Sequence, residues 1–418
     1  MVRHCMDLAA RDTAELCING CAVQRSQIFG VIMDRIRLGM VGGGRGAFIG
    51  PVHRIAARLD DHYDLVAAAL SSDPVLAAAS ASDLNMDPSR AYSSYEAMAE
   101  GEAARADGIE AVSIVTPNNT HAAIAKAFLT RGIHVICDKP LSTDSQFAAE
   151  IVGIARDARK ICALTYNYTG YPMIRQAREM CASGSLGRLR LVQVEYLQDW
   201  LTQQAEAAGS KQAEWRTDPA RSGRGGSIAD IGTHAFNLLR FITRLESEAI
   251  LAELSTFVEG RPVDDNAQVL LRFNGGARGS LWASQVAPGN ENDLSVRVYG
   301  DKGGLEWRHL EPNYLWYTPL GEPRQRISRG AAGAAAARVT RIPAGHPEGY
   351  LEAFAAIYSE IAAAIRSARN GNPAPAGIAF PTALDGLEGI QFVEAAIGSS
   401  EAGAVWRDFQ TSNAGPAG

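Results

Sequence analysis

Short apolar runs alternate with helix-length segments over the first part of the chain. The apolar runs cover residues 36–41, 65–70, 111–115 and 134–137. Helices are predicted over 120–130 and 144–159, and an Ala-rich helical stretch follows the second run. Strands that alternate with helices are typical of βαβ units, which build a parallel sheet. Because their crossovers are right-handed, the turns that follow the strands are expected along one edge of that sheet.

After about residue 165 the pattern changes to several strand-like runs with few helices between them. These runs cover residues 189–196, 267–273, 277–285, 295–299 and 304–308. Successive strands of this kind indicate a largely antiparallel sheet. The Gly- and Ala-rich segment 329–337 predicts a mobile loop. Two further helices are predicted over 347–368 and 383–396.

The two patterns together predict an α/β protein with two domains. We expect an N-terminal Rossmann dinucleotide-binding domain over residues 35–163 and a C-terminal α+β domain with an open, largely antiparallel sheet over 164–410. The length of 418 residues exceeds the usual limit of a single core and agrees with this division. Residues 1–34 are expected to form a disordered N-terminal extension and not a signal peptide, because charged residues interrupt any signal-peptide core. Met33 is an alternative start.

Composition excludes several classes of function. The chain carries a net charge of −6, so it has no basic field that would attract nucleic acid. No apolar run approaches the roughly 20 residues that a membrane-spanning helix needs. The six cysteines include no Cys-x-x-Cys pair and no metal-ligand spacing. We therefore expect no nucleic-acid, membrane or metal partner, and reduced thiols in a cytoplasmic protein.

The strongest local signal is the turn after the first strand, where Gly42-x-Gly44 stands between an apolar strand and a helix. In a dinucleotide fingerprint the first glycine permits a tight turn and the second lets the backbone approach a pyrophosphate. The sequence leaves the position of the third glycine undecided, since Ala47 has the standard spacing whereas Gly50 implies a lengthened loop. A Gly-rich loop without a ligand is the alternative. The expected cofactor residues of this turn are Gly42, Gly44, Ala47, Phe48 and Ile49.

The end of the second strand bears on the choice between NAD and NADP. An Asp or Glu there would normally hold the adenosine ribose hydroxyls and disfavour a 2′-phosphate. Here Ser71 and Ser72 are neutral, and Asp73 follows two positions later. No Lys or Arg follows until Arg90, so a dedicated phosphate clamp is not visible either. Ser71 and Ser72 are expected to contact the cofactor, and both NAD and NADP stay possible.

Two segments of the sequence carry the candidate catalytic residues. Lys139, within Asp138-Lys139-Pro140, follows the fourth strand at the edge where a nicotinamide would lie. Lysines at strand ends are usually solvated, but one beside a cofactor could hydrogen-bond a reacting hydroxyl and lower the pKa of a neighbouring base. Asp230 and His234 are four residues apart, so on a helix they would share one face. A histidine suits removal of a hydroxyl proton while hydride leaves the same carbon. A structural Asp–His pair is the alternative.

These motifs occur in the order found in the Gfo/Idh/MocA oxidoreductase family, which the chain resembles over about residues 35–400. The resemblance implies that Lys139 is the lysine of the family's Glu-Lys-Pro motif, with Asp138 in place of Glu. It implies that His234 is the general acid/base and that Asp230 orients the substrate. The residues expected at the nicotinamide and its ribose are Thr116, Pro117 and Asn118, and His121, Asp138 and Lys139 are also assigned to the cofactor.

The substrate pocket is expected to be neutral. Family members often carry an arginine in a Phe-Asn-Arg-Arg stretch after the last Rossmann strand, where this chain has Tyr166, Asn167 and Tyr168. Such side chains fit an uncharged polyol better than an acid. Trp215 and Arg216 resemble a further family element near the substrate, although Trp215 could instead be a core aromatic.

The expected activity is therefore that of an NAD(P)-dependent dehydrogenase or reductase acting on CH–OH groups of a sugar, anhydrosugar or cyclitol. One alternative is a glycosidase or epimerase that uses NAD through transient oxidation. Another is a non-catalytic NAD(P)-binding sensor, although such a protein would need neither Lys139 nor His234. The resemblance also implies a homodimer or homotetramer.

Overall fold

The computed structural model describes residues 34–411. The extension predicted for residues 1–34 therefore lies, apart from Asp34, outside the described residues. Residues 35–411 form one compact unit, which contains both predicted sheets.

The first sheet is a parallel Rossmann sheet of five strands in the order β2-β1-β3-β4-β5. Its strands are β1 (Ile36–Gly42), β2 (Tyr63–Ala69), β3 (Ala111–Val115), β4 (His134–Cys137) and β5 (Cys162–Leu164). The helices of this part are α1 (Ile49–Leu59), α2 (Pro74–Asp83), α3 (Tyr95–Ala104), α4 (His121–Leu129) and α5 (Ser145–Asp157). The interior strands β3 and β4 are buried at every residue, as expected of strands covered on both faces. The α/β prediction is confirmed.

The second sheet has nine strands in the order β13-β12-β11-β10-β6-β9-β8-β7-β14, and neighbours are antiparallel except β6 and β9. Its strands are β6 (Leu189–Leu197), β7 (Ser247–Ser255), β8 (Asn266–Phe273), β9 (Arg278–Ser284), β10 (Asp293–Gly300), β11 (Gly303–Arg308), β12 (Tyr314–Pro319), β13 (Gln325–Ser328) and β14 (Arg407–Asp408). Side chains alternate across it, so that Val192 is buried while Leu191 is 54% exposed. The open, largely antiparallel sheet is confirmed.

The remaining helices of residues 34–411 complete the fold. They are α6 (Pro172–Ala182), α7 (Lys211–Arg216), α8 (Pro219–Ser222), α9 (Thr233–Thr243), α10 (Ala334–Ala337), α11 (Tyr350–Arg369) and α12 (Ala383–Glu401), of which α6, α9 and α12 contribute to the core beneath the sheet. In contrast, α11 covers the first sheet, where its Tyr358 and Ile361 share a buried cluster with Ile36. The domain boundaries at 35–163 and 164–410 stay predictions.

The mobile loop predicted for residues 329–337 is wrong. Arg329 is buried, and its guanidinium donates to Glu348 at 3.0 Å and to the carbonyl oxygens of Pro343 and His346 at 3.1 and 2.7 Å. The segment continues into the helical turn α10. The low-complexity composition concealed one arginine that fixes the segment, because a buried guanidinium must satisfy its donors.

Candidate active site

The Gly-rich turn joins β1 to α1 in a conformation that depends on its glycines. Gly42 has φ +83°, in the left-handed region that favours glycine. The backbone N–H of Gly44 donates to the carbonyl of Leu70 at the end of β2, at 3.2 Å. A Cβ on Gly44 would lie 2.7 Å from that carbonyl oxygen. The turn therefore runs against the end of β2, and these positions suit a backbone that approaches a pyrophosphate.

Gly50 packs closely against the Gly-rich turn. A Cβ there would lie 2.4 Å from the Cα of Gly43 and 2.5 Å from its carbonyl oxygen. The role of the third glycine in this fingerprint is close packing of helix and strand. This close packing favours Gly50 over Ala47 as the third glycine, in a lengthened loop. Ala47, Phe48 and Ile49 instead line the adjoining cavity.

The end of β2 presents no carboxylate to a ribose. The side chain of Asp73 caps α2, accepting from the backbone N–H groups of Val75 and Leu76 at 2.8 and 3.2 Å. Ser71 accepts from the backbone N–H of Asp73 at 3.1 Å, and Ser72 is exposed. Asp73 is therefore a helix cap, and the neutral serines stand where a ribose-binding acid would.

A cavity of about 620 Å³ lies where the carboxyl ends of the parallel strands face the second sheet. This is the edge at which open α/β sheets bind ligands. The predicted residues that line it are Ala47, Phe48, Ile49, Thr116, Pro117, Asn118, Asp138, Lys139, Asn167, Tyr168, Trp215, Arg216, Asp230 and His234. Asn167 is buried, and its Nδ2 has no hydrogen-bond partner within residues 34–411. That donor and the open backbone of the Gly-rich turn fit a dinucleotide.

Six predicted residues are not part of this lining: Gly42 and Gly44 form the Gly-rich turn, and the other four are His121, Tyr166, Ser71 and Ser72. His121 is buried, with Nδ1 2.6 Å from the carbonyl oxygen of Pro140 and Nε2 2.8 Å from that of Thr116. It therefore joins the turns that follow β3 and β4. Tyr166 is buried, and its ring stands edge-on to His234 with centroids 5.5 Å apart. Ser71 and Ser72 lie at the end of β2, as described above.

Lys139 and Asp230 form an ion pair across the cavity. Lys139 Nζ donates to Asp230 Oδ1 at 2.7 Å and to its backbone carbonyl at 2.8 Å. The other carboxylate oxygen accepts from Gln285 Nε2 at 3.0 Å, and Arg216 Nε lies 3.4 Å away. Burial alone would raise the pKa of Asp230, but the charges of Lys139 and Arg216 outweigh it and hold that pKa well below its usual range. Asp230 is a carboxylate at neutral pH.

His234 is a buried, uncharged imidazole beside this pair. Burial lowers its pKa well below the usual value, and the Lys139 charge lowers it further against the opposing effect of Asp230. Its ring contacts Tyr168 edge-on, with centroids 5.2 Å apart. A neutral imidazole can accept a proton, so the arrangement joins a base to a cation within one cavity.

Asp230 lies in a π-helical turn (Ile228–Gly232) that precedes α9, whereas His234 lies in α9 itself. The two residues therefore do not share the regular α-helix that the sequence predicts. The buried carboxylate of Asp264 holds the residues at the start of this turn. This carboxylate accepts from the backbone N–H groups of Gly226 and Ile228 and from Ser227 Oγ, at 2.7, 2.9 and 2.6 Å. Single π-turns within helices are frequent at functional sites. Asp264 thus anchors the segment that carries Asp230.

A neutral polar group on the second sheet completes the cavity and was not predicted. Asn292 Oδ1 accepts from Tyr196 Oη at 2.8 Å and from Gln198 Nε2 at 2.7 Å. Tyr196 Oη also lies 2.5 Å from Tyr168 Oη. His309 lines the same wall, and burial lowers its pKa. These residues come from strand ends distant in sequence, and no local motif marks them.

Arg216 connects the α7 segment to the site. Its guanidinium lies over the ring of Trp215, 4.2 Å from the centroid, while its Nε faces Asp230. Both side chains are partly buried and line the cavity. Trp215 is therefore an aromatic of the cavity wall and not of the core.

Comparison with protein families defines the class of the chain. Residues 36–166 match the oxidoreductase family with an NAD-binding Rossmann fold, and residues 174–306 match the GFO/IDH/MocA C-terminal domain. A Bacillus subtilis protein called "Uncharacterized oxidoreductase YfiI" is 36% identical over 91% of this chain and 98% of its own length. The levoglucosan dehydrogenase of Pseudarthrobacter phenanthrenivorans is 27% identical over 66% of this chain and 74% of its own.

Solved structures of similar proteins support the same class. An oxidoreductase from Sinorhizobium meliloti is 55% identical, with a TM-score of 0.81 over 89% of this chain and 99% of that one. An inositol dehydrogenase homologue from Azotobacter vinelandii, complexed with NADH and myo-inositol, is 36% identical, with a TM-score of 0.84 over 90% and 98%. The chain belongs to the GFO/IDH/MocA oxidoreductase family. It is an enzyme, an NAD(P)-dependent oxidoreductase, and its Rossmann domain binds NAD.

Two further observations concern residues 34–411. No helix in this range is both long and apolar enough to cross a membrane. Nor does this range bring three or more His, Cys, Asp or Glu side chains together as a metal site.

Proposed function

We propose that the enzyme interconverts a secondary hydroxyl and a ketone on an uncharged sugar, anhydrosugar or cyclitol. The observation that carries this proposal is the Lys139–Asp230 pair beside neutral His234, in the same cavity as the residues after β3 and β4. NAD, when bound, supplies the hydride acceptor. The residues assigned to its nicotinamide end are those of the cavity edge, Thr116, Pro117, Asn118 and Asp138.

The proton chemistry follows from the charges in the cavity. His234 removes the hydroxyl proton in oxidation and returns it in reduction, because burial keeps the imidazole neutral. Lys139 donates a hydrogen bond to the same substrate oxygen and stabilises its developing negative charge. Asp230 orients both the Lys139 amine and a neighbouring substrate hydroxyl. Its own charge is offset by the neighbouring cations Lys139 and Arg216.

The substrate class follows from the cavity wall. Tyr168, Gln198, Asn292 and His309 offer neutral donors and acceptors, which suit several hydroxyl groups. An acidic substrate would find only Lys139 and Arg216 as cations among the described residues that line the cavity, and Asp230 already holds both. Relatives named for levoglucosan, myo-inositol and 1,5-anhydro-D-fructose support a neutral cyclic polyol.

The test is a panel of cyclitols, aldoses, anhydrosugars and sugar acids incubated with NAD⁺, followed by NADH absorbance and product analysis. We expect NADH formation in proportion to ketone, for neutral cyclic polyols and not for sugar acids. Release of an aglycone or an epimer without net NADH would replace the proposal by transient oxidation. Tight NAD⁺ binding with no turnover on any substrate would favour the sensor.

The assembly and location also stay proposals. We propose a homodimer or homotetramer, which light scattering of the purified chain would test, and a cytoplasmic enzyme. A monomer at micromolar concentration would contradict the first of these.

A further inference from the structure

Arg45 follows Gly44 in the nucleotide-binding turn, and both its backbone and its side chain are held by α2. Its backbone N–H donates to Ser80 Oγ at 3.0 Å. Its guanidinium makes a two-point contact with Asp83, with Nε 2.6 Å from Oδ2 and Nη2 2.7 Å from Oδ1. The two side chains are 53% and 49% exposed. An ion pair with this exposure is weak, because water and salt screen both charges.

The turn places this arginine beside the end of β2. Gly44 donates to the carbonyl of Leu70, so the residues that follow each of them, Arg45 and Ser71, are near neighbours. In Rossmann domains the end of the second strand faces the 2′ position of the adenosine ribose. Ser71 and Ser72 bring no charge there, and the carboxylate of Asp73 is occupied as a helix cap. The long side chain of Arg45 can therefore turn from α2 towards the ribose.

We propose that Arg45 is a specificity residue for a 2′-phosphate, and that Asp83 holds it away from that position when no phosphate is bound. A guanidinium recognises phosphate in the same two-point geometry that it uses for a carboxylate. A 2′-phosphate is a dianion, so it replaces the single charge of an exposed Asp83. The enzyme consequently binds NADP⁺ as well as NAD⁺, and the exchange of partners at Arg45 sets the ratio between them.

This inference depends on the NAD-binding turn and not on the proposed substrate or on His234. Arg45 precedes β2 in the chain, and only the fold brings it close to the end of that strand. The residues that follow Ser71 in the sequence therefore give no sign of it.

The test is a binding measurement without turnover. Isothermal titration calorimetry on the full chain gives Kd for NAD⁺, NADP⁺, 5′-AMP and adenosine 2′,5′-bisphosphate. Arg45→Ala is compared with Arg45→Lys and Asp83→Asn. Arg156→Ala is the matched control, because Arg156 is also an exposed arginine, paired with Asp157 on α5. Thermal melting confirms that each variant is folded.

We expect Arg45→Ala to weaken NADP⁺ and the bisphosphate by about tenfold or more while NAD⁺ and 5′-AMP change less than about twofold. The NADP⁺ affinity of Arg45→Lys should lie between those of the wild type and Arg45→Ala, because lysine keeps the charge but lacks the two-point donor geometry of the guanidinium. Asp83→Asn should strengthen NADP⁺ alone, by about threefold, and high salt should reduce this gain. The proposal is overturned if Arg45→Ala changes all four ligands equally or none, or if neither the wild type nor Asp83→Asn binds NADP⁺ measurably.

Discussion

Replacing Gly50 by Ala tests whether the lengthened turn is the nucleotide-binding element. The new Cβ would meet the backbone of Gly43 at 2.4 Å, whereas ordinary contact begins near 3.4 Å, so one backbone must move by roughly 1 Å. Overpacking of this kind costs about 1–3 kcal/mol. The gain from removing a helical glycine is at most about 1 kcal/mol, so the clash is the larger effect. We expect a destabilised chain and weaker NAD⁺ binding, by about tenfold or more, because the displaced backbone is the turn that approaches the pyrophosphate.

The matched control is Gly153→Ala in α5, where a Cβ would meet nothing within 4 Å. That variant should gain about 0.5–1 kcal/mol of stability and bind NAD⁺ like the wild type. Urea denaturation gives the free energies of unfolding, and calorimetric titration gives Kd. If Gly50→Ala were stabilised like the control and bound NAD⁺ within twofold of the wild type, the assignment of the third glycine would be wrong.

Three further outcomes follow from the buried polar groups. Asp264→Ala should lower the free energy of unfolding by about 3 kcal/mol or more, because it strands three donors at the π-helical turn; urea denaturation measures this. Gln285→Leu should reduce kcat by about tenfold with an unchanged melting temperature, since it removes the hydrogen bond that fixes the Asp230 oxygen facing Arg216; an unchanged kcat would refute its positioning role. Burial lowers the pKa of His53 and of His134 to about 4. The unfolded chain therefore takes up these protons first as pH falls below about 6.5, and stability should decrease by about 1.4 kcal/mol per histidine and pH unit between pH 6 and 4.5; a flat profile in denaturation at several pH values would contradict this.

The parts of the fold that local patterns specify were predicted well. Strand β4 has the predicted bounds, His134–Cys137, because a short apolar run between two helices has little alternative to a buried parallel strand. Strands β12 and β13 were missed. They lie at an edge of the second sheet and are mostly half-exposed, so neither shows the regular alternation of a strand with one buried face. The segment at Arg329 was mispredicted because its order depends on a partner 19 residues later, Glu348.

The candidate site also contains residues that local sequence predicts and residues that it does not. Lys139, Asp230 and His234 follow recognisable local sequences, and the fold brings all three to one cavity. Asn292 could not be found, since it reaches the cavity through the pairing of β10 with β6, about 100 residues away, and His309 reaches it only because β11 pairs with β10. The role of Asp73 was also open in the sequence, because the same residue can bind a ribose or cap a helix, and only the backbone of α2 decides between them.

The most direct test of the central claim is single-turnover hydride transfer from a neutral cyclic polyol to saturating NAD⁺, with His234→Ala compared with His346→Ala. Both variants remove one imidazole, but His346 is exposed and lies outside the cavity lining. General acid/base catalysis contributes about 10²–10⁴-fold, so His234→Ala should lose at least about 10²-fold in rate while NAD⁺ affinity is kept. His346→Ala should transfer hydride at the wild-type rate. A folded His234→Ala variant with near wild-type hydride transfer would contradict the account.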